Sequence, residues 1–109
     1  MPYTIPIDSN VTEQQFDVFL VDESFTIKIL WNSEEEYFSM SIYNLKEEPL
    51  VENIKMVLNY PLVKRYKIDK MPKGEFYLLR LSGDGERATY DEIGKRYILV
   101  FVGDDEDAI

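Results

Sequence analysis

The chain contains no cysteine and no histidine. Without cysteine there are no disulfide frameworks, thiolate metal sites or sulfur nucleophiles, and the redox compartment leaves no imprint. Without histidine there is no ordinary zinc site, no Ser-His-Asp or Cys-His catalysis and no imidazole pH switch. Glycine and proline number five each, and no stretch of them marks a linker between domains. Positive charge is also short: 12 Lys and Arg stand against 21 Asp and Glu, a formal charge of -9. That balance disfavours nonspecific attraction to nucleic acid or to an anionic membrane. No apolar run reaches the length of a membrane-spanning helix, and the first residues have neither the basic start nor the apolar centre of a secretion signal, so synthesis in a cytoplasm is expected.

Apolar residues make up 45% of the 109 positions and aromatic residues 14%. That is too much buriable surface for a disordered chain of this charge, and its size suits one core. We expect one β domain over residues 1–103 and an acidic tail over 104–109. The charge is unevenly spread. Residues 1–54 hold two lysines and eleven acids, residues 55–102 hold ten basic residues and six acids, and the tail holds four acids.

Alternation with period two dominates, and in a strand it sends successive side chains to opposite faces. Phe25, Ile27, Ile29 and Trp31 share one face of a strand over 24–32. Phe38, Met40 and Ile42 share one face of the next, with Tyr37, Ser39, Ser41 and Tyr43 opposite, and the polar run from Ser33 to Glu36 makes the two a hairpin. Upstream, Phe16, Val18 and Leu20 alternate with Asp17, Phe19 and Val21, and Asp22-Glu23-Ser24 is the expected connection. Thr12 and Gln15 have capping-box spacing, but no helical stripe follows, which favours a strand. Residues 50–58 fit either an irregular strand or a short strand pair. Residues 75–82 and 96–102 are further strands. Pro61 suits a single turn of helix or a bend over residues 60–66, and Thr89, Glu92 and Gly94 suit a one-turn helix ended by glycine. The expected fold is all-β: a small antiparallel barrel or sandwich of six to seven strands with one or two single-turn helices.

Chemistry-bearing patterns are incomplete. The loop from Ser82 to Glu86 holds two glycines and two acids but neither the lysine and hydroxyl of a P-loop nor the distal glutamate of a calcium loop. The carboxylate groups at 34–36, 47–48 and 104–107 fall in apparent turns or the tail, where solvated charge explains them. No nucleophile, base and orienter appear together, so no catalytic residue, cofactor or metal is expected. What stands out are groups suited to contact. Tyr37 and Tyr43 lie on the hairpin face away from its core, and Lys64, Arg65, Tyr66, Lys67, Lys70 and Lys73 form the one basic cluster. Tyrosine favours interfaces because its ring buries apolar area while its hydroxyl keeps a polar partner. The alternative for the tyrosines is a second sheet packed over them. The basic cluster with its interleaved tyrosine also fits an OB-like module for single-stranded nucleic acid or oligosaccharide, a reading the net charge opposes.

In order and spacing, several segments resemble the baseplate plug proteins of contractile-tailed bacteriophages. They are Tyr3 to Ile7, Gln15 to Leu20, Phe25 to Asn32, Met40 to Asn44, Glu48 to Ile54, Pro72 to Phe76, Tyr90 to Gly94 and Ile98 to Val102. Asn53 stands where members of that family often carry glycine, and asparagine also tolerates a left-handed backbone, so the turn should persist. The resemblance implies a non-enzymatic virion protein, synthesised in the host bacterial cytoplasm. It would act as a plug in the hub region of the tail baseplate, held by hub and tail-tube proteins and by further copies of itself. It implies no membrane, no cofactor and no stable binding of nucleic acid.

Overall fold

The alternation is realised as seven strands: β1 (Tyr3–Ile5), β2 (Glu13–Leu20), β3 (Glu23–Asn32), β4 (Tyr37–Tyr43), β5 (Pro49–Lys55), β6 (Gly74–Arg80) and β7 (Tyr97–Gly103). The computed structural model describes residues 3–21, 23–64, 72–83, 85 and 87–103, and no helix occurs among them. β2, β3, β4 and β5 form one sheet in chain order, and β1, β7 and β6 form a second with β7 in the middle. Every pairing of these strands is antiparallel.

The apolar sides of the two sheets make one core. Phe25, Ile27 and Ile29 of β3 and Phe38, Met40 and Ile42 of β4 are all buried. They belong to one cluster with Ile5, Phe76, Leu78, Leu99 and Phe101 of the other sheet. Each such side chain contributes about 1.5–3 kcal/mol by leaving water. The architecture is therefore a sandwich of two sheets and not a closed barrel.

One side of the sandwich is strapped. After β5, the Met56 N–H donates to the Phe38 carbonyl (2.9 Å), the Asn59 N–H to the Leu78 carbonyl (2.9 Å) and the Leu62 N–H to the Phe76 carbonyl (3.0 Å). The chain thus leaves the edge of the four-stranded sheet and runs along the edge of β6. β5 is the irregular strand anticipated for residues 50–58: its register against β4 shifts on either side of Ile42, and Asn53 has a φ of 60°.

Two local expectations change, and a third is narrowed. The connection from β2 to β3 is shorter than Asp22-Glu23-Ser24, because Leu20 pairs directly with Glu23. Around Pro61 the bend is realised: a turn forms at 62–64, and the Leu62 N–H bonds to the Phe76 carbonyl. Residues 89–96 form successive turns and not a one-turn helix. The N–H groups of Glu92 and Ile93 both donate to the Thr89 carbonyl, while the Glu92 carboxylate pairs with Arg96 and does not return to close a capping box. Gly94 has the expected left-handed backbone, at φ 84°.

Candidate interface

Strand parity sets the outer face of the four-stranded sheet. With Phe38, Met40 and Ile42 of β4 buried, Tyr37, Ser39, Ser41 and Tyr43 point the other way, and the second sheet does not pack over them. Both tyrosines are half-buried, but their cover comes from β5. The Lys55 ammonium sits 4.9 Å from the centre of the Tyr37 ring, a contact worth about 0.5–1 kcal/mol where exposed. The Tyr43 hydroxyl donates to Glu52 Oε2 at 3.1 Å. The rings are thus steadied by neighbouring charges and still present a face to solvent.

Beside Tyr37 the same face carries an open depression of about 430 Å³, lined by Leu30, Asn32, Glu34, Ser39 and Asn53 among others. It offers two aromatic residues, Trp31 and Tyr37, with amides and hydroxyls, and no converging pair of charged groups. Among the described residues no group of three or more acids is placed to hold a metal ion.

Of the basic cluster, Lys64 and Lys73 are described and exposed; Arg65, Tyr66, Lys67 and Lys70 lie outside the described residues. The two lysines belong to the β6 end of the three-stranded sheet. There the Glu75 carboxylate accepts from the Val63 N–H (2.7 Å) and the Phe76 N–H (2.9 Å), tying the chain beside Lys64 to the start of β6. The tyrosines therefore stand in the four-stranded sheet, whereas the two lysines lie in the turn at 62–64 and just before β6.

Other exposed groups were not singled out by their residue types. Phe19 is 67% exposed on the outer side of β2, and Leu45 (67%) and Leu81 (59%) project from loops. For Phe19 the signal was present in its parity, since it alternates with buried Val18 and Leu20. The loops carrying Leu45 and Leu81 have no such rule.

These features define the class: a small antiparallel β-sandwich whose prominent groups are surface aromatics and charges. The family model described as cyanophage baseplate Pam3 plug gp18 matches residues 3–105, and the chain belongs to that family of phage baseplate plugs. The strand motifs resembled the same kind of protein. No curated protein matches the chain.

Proposed function

We propose that this chain is a structural part of a contractile phage tail, a plug in the central hub region of the baseplate that works by protein–protein assembly and not by catalysis. The match of the plug family over residues 3–105 carries this reading. A rigid sandwich with aromatic and charged groups on separate surfaces can touch several neighbours at once, since desolvated aromatic rings supply affinity and complementary charges supply register. Its partners are hub and tail-tube proteins and further copies of the chain. It is made in the host bacterial cytoplasm, carried in the virion, and forms no stable complex with nucleic acid.

The contacts are assigned to Tyr37 and Tyr43 of the four-stranded sheet and to the basic cluster of Lys64, Arg65, Tyr66, Lys67, Lys70 and Lys73. Purified tails from phage carrying Tyr37→Ser with Tyr43→Ser, or Lys64→Glu, Arg65→Glu and Lys67→Glu together, test it by mass spectrometry. The wild-type chain is expected in tails and the variants depleted, with unchanged circular dichroism of the isolated proteins. Absence of the wild-type chain from tails would overturn the role. Normal incorporation of both variants would overturn the contact residues. Titration with single-stranded DNA across salt separates the OB-like alternative, whose groove would bind with a steep salt slope.

A further inference from the structure

The strand edges of this sandwich are unequally protected. β1 has three residues and runs into Pro6. β6 is covered along its free side by the strap, through the Leu58–Leu78 bridge and the bonds from Asn59 and Leu62. β5 starts at a proline and is broken by register shifts. β2 is different: it runs eight residues in unbroken register with β3.

The hydrogen bonds of β2 alternate in direction. The Trp31 N–H donates to the Thr12 carbonyl at 2.8 Å, and that pairing continues the β2–β3 register. Even-numbered positions of β2 therefore exchange bonds with β3, and the N–H and C=O groups of Glu13, Gln15, Asp17 and Phe19 point away from it. No described residue bonds to those outward backbone groups, and all four side chains are exposed. A straight edge with a row of unpaired groups is a template for another strand, which proteins normally blunt or cover.

We propose that β2 pairs antiparallel with β2 of a second copy across a two-fold axis, so that two four-stranded sheets become one continuous sheet. The occupant follows from the strand's own pattern. Only odd positions carry outward groups, so odd residues must face odd residues. The two longest registers then pair residues 14–20 with themselves or residues 13–19 with themselves. The first sets Asp17 directly against the partner's Asp17, and like charges placed opposite one another destabilise a sheet. The second sets Asp17 against the partner's Gln15 and Glu13 against the partner's Phe19, leaving no carboxylates directly opposed. Read backwards, the outward row Glu, Gln, Asp, Phe thus meets itself with an amide against each Asp17 and no like charges directly opposed. The same register places the half-buried Phe16 beside the partner's Phe16 at the axis, on the core side of the sheet. Such an interface is isologous and closed, so it stops at two copies.

The test uses the purified chain and is independent of the plug role. Sedimentation should give twice the 12.9 kDa chain mass. Gln15→Pro removes an N–H that bonds to no described residue, and proline is tolerated on such an edge; this variant should keep its circular dichroism and sediment as a monomer. Because the native chain has no cysteine, single-cysteine variants report the register. Phe16→Cys should form a disulfide-linked dimer on oxidation, whereas Gln15→Cys and Asp17→Cys should form little. A native chain that stays monomeric at its highest soluble concentration overturns the proposal. So does a dimer that survives Gln15→Pro, or crosslinking at 15 or 17 in preference to 16.

Discussion

No Cβ fits between the α-carbon of Gly94 and the carbonyl oxygen of Ile7. The turn that enters β7 and the segment that leaves β1 are packed there backbone against backbone, and Gly94 also holds a left-handed φ of 84°. A carbonyl cannot swing away as a side chain can. Gly94→Ala is therefore expected to cost about 2–4 kcal/mol, from steric overlap and backbone strain together. Urea unfolding followed by the fluorescence of the single tryptophan, Trp31, should show a lower midpoint with little change in slope.

Val21 leads the two-residue connection between Leu20 and Glu23 with a φ of 47°. Hairpins of that length favour a left-handed first residue, which asparagine adopts readily and a β-branched valine does not. Val21→Asn should raise stability by about 0.5–1 kcal/mol, read as a higher melting temperature. An unchanged or lower melting temperature would show that the strain is relieved elsewhere.

Asn53 marks the irregular part of β5. Its φ is 60°, and its N–H donates to the Ser41 Oγ at 3.0 Å. Glycine keeps both features, so Asn53→Gly should lie within about 0.5 kcal/mol of the native protein. Asn53→Val should cost about 1–2 kcal/mol, because branching at Cβ penalises the left-handed region. Equal stability of the two variants in chemical denaturation would refute this account.

The Thr89 hydroxyl is buried without a hydrogen-bond partner among the described residues. A buried hydroxyl that makes no bond forfeits its hydration, so an apolar group of the same shape serves as well or better. Thr89→Val should be neutral or stabilising by up to about 1 kcal/mol in thermal unfolding. A clear loss would reveal that the hydroxyl has a partner.

Much of the four-stranded sheet was legible in the residues. Phe25, Ile27 and Ile29, and then Phe38, Met40 and Ile42, announced two strands, the hairpin between them and the inward side of each. Asn53 and Gly94 could be assigned left-handed backbones because few residue types accept them. The one-turn helix expected near Thr89 failed for a specific reason: the Glu92 carboxylate pairs with Arg96 and does not close a capping box on Thr89. Near Pro61 the pattern left a helical turn and a bend open, and the bend was settled by a partner far along the chain, the Phe76 carbonyl that accepts the Leu62 N–H. Of the contact groups, Tyr37 and Tyr43 could be placed by parity, whereas the state of the β2 edge could not.

Residue order alone determined that this protein is built of strands and which side of β2, β3 and β4 is apolar, because in a regular strand the face a side chain takes depends only on whether its position is odd or even. Only the tertiary structure decided that Tyr3 pairs with Phe101, that the strap closes the β6 side, and that no described residue bonds to the outward backbone groups of β2. Those outcomes depend on which distant segments meet around the shared core, and the gain from that meeting is set by shape and burial between residues far apart in the chain.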